Sequence, residues 1–351
     1  MSGGGITLSS KENPVPRLIF RTEGGHRTGM GHLKRCLRLA GYLRERLSPE
    51  ITFILSPSDI LLADFFLKTP YKTLYLEEGR EKQEVDELCL HHPPQAWITD
   101  LRHTEDKVLF QGLADRHRFL HIAIDDMHLS GVEAEITFNP SVLPCDPSRH
   151  SFPPREYYCG PEYFFSFPDK TPPLFPKKNG KRILIAMGGA DIHGVTPRLL
   201  RSFLKTEGEA QVHVVQGPAF RDDAQMDFAA GHENVFFHPA PASLDPLISS
   251  VDLVITTGGL TLYETARLGV ASLAVTQNPF ESRTARAFEE KDACLFQGEG
   301  DRVETDRVAA TALALLQDRQ RLGPMGLAGQ ELIKGGGGEM VEKILKKHFF
   351  V

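Results

Sequence analysis

The sequence predicts an α/β fold in which two Rossmann-like domains with parallel sheets face each other across a cleft. Short β-rich runs alternate with helical patterns in both halves of the chain. Each half opens with a strand that runs directly into glycines, at positions 24–25 and 188–189. A Pro-rich stretch between residues 152 and 178 separates the two halves.

The candidate strands of the first half are short apolar runs, each followed by a turn or a helical pattern. They lie at residues 18–20, 51–55, 73–76, 96–99, 121–124 and 136–138. A helix is expected after the first strand, since apolar residues recur every three or four positions from Leu33 to Leu47. Such alternation is typical of a parallel sheet covered by helices.

The second half repeats this pattern after the prolines. Its candidate strands lie at residues 182–187, 212–215, 235–237, 253–256, 272–275 and 294–296, and helical patterns close the chain at 308–316 and 339–347. The predicted organisation is a flexible tail over residues 1–16, an N-terminal domain over 17–160, a linker over 161–180 and a C-terminal domain over 181–351.

Composition excludes several classes of protein. The chain of 351 residues has a net charge of -6, which gives no support for a general nucleic-acid surface. No apolar run approaches the length of a membrane span. The five cysteines are odd in number and contain no CxxC, which favours a reducing cytoplasm and argues against a zinc knuckle. No metal site and no cofactor are expected.

The loop Gly29-x-Gly31-His32 joins the first strand to the first helix. Its backbone N–H groups and the positive helix end suit a phosphate-bearing ligand. The same helix end favours a neutral imidazole at His32, which can then accept a proton, although His32 could also simply cap the helix. Arg35 lies one turn along the same face, where it could meet a phosphate or a carboxylate, or remain a solvated cation.

Three further positions are candidate binding residues. Thr261 follows a second strand and glycine turn, and its hydroxyl could contact phosphate. Glu264 lies one turn further on, where it could accept hydrogen bonds from a ribose diol or form a capping box with Thr261, which the spacing slightly favours. Asp100 and the pair at 125–126 end candidate strands, where α/β sites gather but where aspartates also start turns.

Four segments carry a family resemblance, and they occur in the family's order. They are Phe20-Arg21-Thr22-Glu23-Gly24-Gly25 with Gly29-x-Gly31-His32-x-x-Arg35, Met187-Gly188-Gly189-Ala190-Asp191, Thr261-x-x-Glu264-x-x-x-x-Gly269, and Gln277-Asn278 followed by Glu281. The chain thereby resembles the UDP-sugar hydrolases of pseudaminic acid biosynthesis and the related spore-coat polysaccharide proteins. These belong to the GT-B group, which includes the lipid II-forming N-acetylglucosaminyl transferase.

The resemblance implies a mechanism. UDP would lie mainly on the C-terminal domain, with Glu264 on the ribose and the turns at 188–189 and Thr261 near the diphosphate. His32 would act as general base on a water that attacks the anomeric carbon, which releases UDP and free sugar without a metal. The resembled branch acts on a UDP-linked diacetamido-trideoxy-altrose. The substrate-binding residues implied are Arg21, Gly29, Gly31, Arg35, Asp100, Gly188, Gly189, Asp191, Thr261, Glu264, Gln277 and Asn278.

One departure from the family bears on the sugar. After the fourth strand the chain reads Asp100-Leu101-Arg102-His103, without the tyrosine that the hydrolases carry. A GT-B glycosyltransferase that moves the sugar to an acceptor therefore stays open, with residues 65–68 as the local hint of an acceptor surface. A non-catalytic nucleotide-sugar binder is a further alternative. The expected setting is cytoplasmic, with a UDP-sugar as substrate and neighbouring sugar-biosynthesis enzymes as partners.

Overall fold

The computed structural model describes residues 15–24, 31–55, 69–101, 112–124, 133–146, 148, 153–167, 181–189, 191–206, 210–217, 223–239, 241 and 243–349. These residues form two parallel sheets, one of seven strands and one of six. Among them, no helix combines the length and the apolar character needed to cross a membrane.

The first sheet has the order β3-β2-β1-β4-β5-β6-β7. Its strands are β1 (Arg17–Thr22), β2 (Glu50–Leu55), β3 (Lys72–Tyr75), β4 (Ala96–Asp100), β5 (Leu120–Ile124), β6 (Ile136–Asn139) and β7 (Glu156–Cys159). Because the strand order reverses between β1 and β4, a crevice forms at their carboxyl ends. Thr22 pairs with Asp100 in the register, so both strands end at this edge.

The described helices of the first half are α1 (Gly31–Leu47), α2 (Glu81–His91) and α3 (Leu113–His117). The predicted helix after the opening loop is confirmed as α1. Its stripe of buried residues includes Leu33, Leu39 and Leu43, which pack on Phe20 and Phe53 of the sheet. This packing fixes the N-terminal end of α1 at the crevice between β1 and β4.

The second sheet has the order β10-β9-β8-β11-β12-β13, again with the first strand beside the fourth. Its strands are β8 (Arg182–Ala186), β9 (Gln211–Gln216), β10 (Val235–Pro239), β11 (Leu253–Thr256), β12 (Ala271–Thr276) and β13 (Leu295–Glu299). The remaining helices are α4 (Val195–Leu204), α5 (Asp245–Ile248), α6 (Leu260–Arg267), α7 (Pro279–Glu289), α8 (Thr305–Gln317), α9 (Arg319–Leu332) and α10 (Gly337–Phe349).

Each predicted strand overlaps an observed one. Strand β7 and helix α9 are among the elements that were not predicted. Strand β7 lies within the Pro-rich stretch, where prolines on both sides favoured a linker. Helix α9 contains Pro324 together with several glycines, which weaken a helical pattern. Both elements form because tertiary packing outweighs these local preferences.

Two consecutive residues of the chain are buried in different hydrophobic cores. Phe164 is buried in the core beneath α6, whereas Phe165 is buried against Phe138 in the core of the first sheet. Helix α10 returns to that first core through Val341 and Leu345. Its residues were predicted as part of the C-terminal domain, but they pack on the N-terminal one.

Two cysteines form a disulfide, between Cys145 after β6 and Cys159 at the end of β7. The two segments meet because β6 and β7 pair in parallel, with Asn139 opposite Cys159. The odd count and the lack of CxxC favoured a reducing cytoplasm, and this disulfide was not predicted. Cys36, Cys89 and Cys294 are free and buried.

Candidate functional site

The N-terminal end of α1 brings His32 to the carboxyl end of β4. Its Nδ1 lies 2.6 Å from Oδ1 of Asp100. A carboxylate can only accept here, so we assign the ring proton to Nδ1. Nε2 then carries a lone pair and can accept a proton from a reacting group. The imidazole keeps 16% of its side-chain surface exposed, whereas the carboxylate keeps none.

Arg35 holds the same carboxylate from the other side. Its Nε donates to Oδ2 of Asp100 and its Nη2 to Oδ1, both at 2.7 Å. Burial opposes ionisation of Asp100, but the charges of Arg35 and His32 and their hydrogen bonds outweigh it and lower the pKa of Asp100 to about 2. Asp100 is therefore an anion that orients His32, and Arg35 stabilises that anion.

Three residues expected to contact substrate thus lie beneath the site surface. Asp100 and Arg35 are buried and bond to each other, and Arg21 is fully buried with Nη1 donating to the carbonyl of Thr22 at 2.7 Å. Gly29 and the aspartates at 125–126 lie outside the described residues, as do residues 65–68.

The glycine turn after β8 is held by Gln277. Gly188 has a φ of 77°, which favours glycine. Nε2 of Gln277 donates to the carbonyl of Met187 at 2.6 Å, and Oε1 accepts from the backbone N–H of Ile192 at 3.1 Å. Gln277 therefore shapes the turn that carries Gly188 and Gly189.

Asp191 and Asn278 act as helix caps. The carboxylate of Asp191 accepts from the backbone N–H groups of Val195 at 2.9 Å and Thr196 at 2.7 Å, at the start of α4. Asn278 accepts from the N–H of Glu281 at 2.9 Å, at the start of α7. Both side chains satisfy orphan helix donors, a role that spacing did not distinguish from substrate binding.

Glu264 faces the N-terminal domain. Helix α6 begins at Leu260 with Gly259 as its cap residue, so the capping box with Thr261 is wrong. Instead, Oε1 of Glu264 accepts from Nη1 of Arg38 in α1 at 2.7 Å. Burial raises the pKa of Glu264, and the Arg38 charge opposes this. Thr261 lies half-buried one turn earlier on α6.

One face of α1 lines the cleft. A Cβ atom at Gly31 would lie 3.9 Å from Cδ2 of Leu260, Nζ of Lys34 donates to the carbonyl of Pro241 at 3.4 Å, and Arg38 reaches Glu264. Lys34 and Arg38 were not predicted as site residues. Their signal in the sequence is the spacing from Gly31, which places all three on one side of the helix.

No protein-family model matches the chain. An uncharacterised protein of Methanocaldococcus jannaschii is 24% identical over 278 residues, which cover 76% of this chain and 56% of that protein. The chain thus spans little more than half the length of that relative. The spore coat polysaccharide biosynthesis protein SpsG of Bacillus subtilis is 23% identical over 355 residues, which cover 92% of this chain and 96% of that protein.

Solved structures match over almost the whole chain. MurG of Acinetobacter baumannii has a TM-score of 0.65 at 15% identity, covering 95% of this chain and 100% of its own. The fold is GT-B. Arabidopsis thaliana UGT89C1 complexed with UDP-L-rhamnose has a TM-score of 0.67 at 13% identity, covering 95% and 99%. The calicheamicin glycosyltransferase CalG4 has a TM-score of 0.64 at 15% identity, covering 95% and 98%. In this GT-B molecule, His32 and Glu264 lie on opposite domains.

Proposed function

We propose that the protein is a nucleotide-sugar enzyme that transfers the sugar to a hydroxyl acceptor, with His32 as general base. The observation that carries the proposal is the His32–Asp100 pair beside the cleft, with a bond of 2.6 Å. A base oriented by a buried carboxylate is the arrangement that proton abstraction from a hydroxyl requires.

The reaction transfers one proton, forms one bond to the anomeric carbon and breaks another. Nε2 of His32 takes the acceptor proton while the acceptor oxygen bonds to the anomeric carbon. The bond between that carbon and the diphosphate oxygen breaks, and its electron pair leaves with the nucleoside diphosphate. Asp100 stabilises the imidazolium that forms, because it stays ionised beside Nδ1.

The nucleotide is assigned to the C-terminal domain. Glu264 would accept hydrogen bonds from the ribose diol, and the turn at Gly188 and Gly189 would lie near the diphosphate with Thr261. Support comes from the resemblance and from a neighbour of the same fold that holds a UDP-sugar. Backbone N–H groups at the start of α6 would stabilise the leaving diphosphate.

Transfer is the preferred reaction because the solved neighbours include proteins named as glycosyltransferases. Hydrolysis of a UDP-linked diacetamido-trideoxy sugar is the second candidate, supported by the motif Gly29-x-Gly31-His32-x-x-Arg35. The similarity to SpsG favours a role in surface polysaccharide biosynthesis for either reaction.

Nucleotide release separates these candidates. The protein is incubated with a panel of UDP-, GDP- and CMP-sugars, with and without candidate hydroxyl acceptors. Release that needs an acceptor establishes transfer, whereas equal release in its absence establishes hydrolysis. Binding of a nucleotide-sugar without any release would leave the protein as a binder and overturn both.

Replacing His32 by alanine tests the base. We expect nucleotide release by His32→Ala to fall by about 10²- to 10⁴-fold, because the acceptor hydroxyl loses its proton acceptor. Nucleotide affinity, measured by calorimetry, should stay nearly unchanged. His91→Gln, at an exposed position on α2, is the control for loss of a histidine. Near-normal release by His32→Ala would rule out the mechanism.

A further inference from the structure

Helix α1 presents a row of three residues to the second domain, Gly31, Lys34 and Arg38. Gly31 lies beside Leu260 at the start of α6, and Arg38 bonds to Glu264 one turn further along α6. The two helices therefore run alongside each other over this stretch. Lys34 lies between Gly31 and Arg38 on the same side of α1, and its ammonium contacts the carbonyl of Pro241 in the second domain.

Among the described residues, cations outnumber carboxylates around this row. Arg38 donates to Glu264 at 2.7 Å, and its Nη2 lies 3.9 Å from Oδ1 of Asp245. Asp245 is already held by Arg267, whose Nη2 is 2.8 Å from Oδ2. In the described part of the chain, this cluster therefore contains three cations and two carboxylates. The cations are Lys34, Arg38 and Arg267, and the carboxylates are Asp245 and Glu264. Lys34 and Arg38 both lie on the side of α1 that contacts the second domain.

Lys34 shows the imbalance most clearly. The only hydrogen bond resolved for its ammonium within the described residues is the long one to the carbonyl of Pro241, at 3.4 Å. Burial lowers the pKa of Lys34, and the Glu264 carboxylate opposes this shift. A nearby anion would stabilise the charged form of the Lys34 ammonium.

We propose that Lys34 and Arg38 are nucleotide-binding residues of the first domain, and that Arg38 exchanges Glu264 for the diphosphate when the nucleotide binds. This inference rests on the proposed function, in which Glu264 binds the ribose diol. A diol engages both oxygens of a carboxylate, and Oε1 of Glu264 accepts from Arg38. The ribose diol would therefore compete with Arg38 for this oxygen.

Once displaced from Glu264, Arg38 would keep its bond of 3.2 Å to Oγ of Ser243 and its longer contact of 3.9 Å to Oδ1 of Asp245. A phosphate within hydrogen-bond distance would stabilise its charge more strongly than these contacts do. The nucleotide supplies one, since its diphosphate is attached to the ribose that displaces the guanidinium. The planar guanidinium matches phosphate oxygens in a bidentate manner, and the Lys34 ammonium adds a point charge. The contact therefore distinguishes a nucleoside diphosphate from the bare nucleoside.

Calorimetric titration with ligands that differ in their number of phosphates tests whether Arg38 exchanges Glu264 for the diphosphate. The ligands are uridine, UMP and UDP, or the corresponding set for the nucleotide that the sugar panel identifies. Each ligand is titrated into the wild type, Arg38→Gln and Lys34→Met. Arg46→Gln is the matched control, because it removes a cation from the last turn of the same helix, away from the cleft.

The measured quantity is the ratio of the Kd for uridine to the Kd for UDP. We expect each cleft variant to lower this ratio at least about tenfold, the loss of one charged phosphate contact. Arg46→Gln should leave it unchanged. Uridine binding also reports that each variant is folded.

Other results would contradict the exchange. If Arg38→Gln binds uridine and UDP more tightly by the same factor, Arg38 only blocks Glu264 and the inference is wrong. An unchanged ratio in both cleft variants is equally decisive against it. If no nucleoside diphosphate binds the wild type, the proposed function fails and this inference fails with it. Binding of UDP to the wild type with an unchanged ratio in the variants overturns the inference alone.

Discussion

At the scale of single residues, Asp100 contributes both to the stability of the fold and to the proposed reaction. Its carboxylate is fully buried and bonds at once to His32 and Arg35. With a pKa of about 2, Asp100 stays ionised at neutral and mildly acid pH. Because this pKa is depressed, the stabilisation is fully present above the ordinary value of about 4 and is lost as the pH falls towards 2.

Asp100→Asn should therefore have two effects at neutral pH. Removal of the charge leaves Arg35 buried without its anion, which should lower the free energy of unfolding by about 3–5 kcal/mol. The folded fraction should release nucleotide at least about 100-fold more slowly, because the imidazolium loses its counter-charge. Urea unfolding and active-fraction-corrected rates measure these effects.

A matched control for Asp100→Asn exists on the surface of the same domain. Asp86 also pairs with a histidine and an arginine, His117 at 3.0 Å and Arg116 at 3.1 Å, but its side chain keeps 31% of its surface exposed, whereas that of Asp100 keeps none. Asp86→Asn should change stability by less than about 1 kcal/mol and leave turnover intact. A similar loss of turnover in both variants would show that Asp100 has no special position.

The sequence singled out candidate site residues but not the partners that the structure gives them. His32 and Glu264 were chosen from glycine turns and helix starts, which are local signals. The pairing of His32 with Asp100 joins residues 68 positions apart, and that of Arg38 with Glu264 joins residues 226 apart. Such contacts depend on sheet order and on how the domains meet, which spacing along one chain does not encode.

At the scale of elements, the glycine turn and helix α4 are built as one unit. Asp191 occupies the N-terminal end of α4 with its carboxylate, in a left-handed backbone conformation with a φ of 43°. The positive end of α4 is thereby already neutralised by the protein's own side chain. Asp191 is thus placed to fix the turn rather than to reach a ligand.

Asp191→Ala should lower the free energy of unfolding by about 1–3 kcal/mol, since it removes a helix cap and leaves alanine in a left-handed conformation. Asp191→Asn should lose less, because asparagine tolerates this conformation and keeps one acceptor oxygen. Urea denaturation of the three proteins gives the comparison. An alanine variant as stable as the wild type would contradict the capping role.

Strand β7 was missed because its surroundings, rather than its own sequence pattern, favour a strand. Strand β7 has only four residues and lies at the edge of its sheet, between prolines. It forms because β6 offers a parallel partner and the Tyr158 ring stacks on Phe138, with centroids 4.9 Å apart. Neither partner is visible from the composition of the segment.

At the scale of the whole molecule, helix α10 packs against the core that contains strand β1. Leu345 of α10 is fully buried in the core of the first sheet, among residues more than 200 positions away such as Leu18 and Phe20. The N-terminal domain is therefore complete only when the C-terminal residues have been added. This explains why a boundary drawn from alternation alone placed α10 on the wrong side.

Leu345→Ala should lower the free energy of unfolding by about 2–5 kcal/mol, because it opens a cavity in a closed core. The loss should appear as faster amide hydrogen exchange in β1 and β2, with β8 and β11 unaffected. Lys347→Ala, at an exposed position two residues on, is the control. Faster exchange in the second sheet alone would contradict the assignment of α10.

Two connections between the domains lie side by side in the described part of the chain. Gly336 donates its N–H to the carbonyl of Glu162 at 2.7 Å, and Gly337 donates to that of Phe164 at 3.3 Å. Two adjacent connections keep the domains together but allow them to rotate about the line that passes through both connections. Rotation about these connections would displace most the atoms that lie farthest from them, and a rotation that separated Arg38 from Glu264 would free that carboxylate for a ligand.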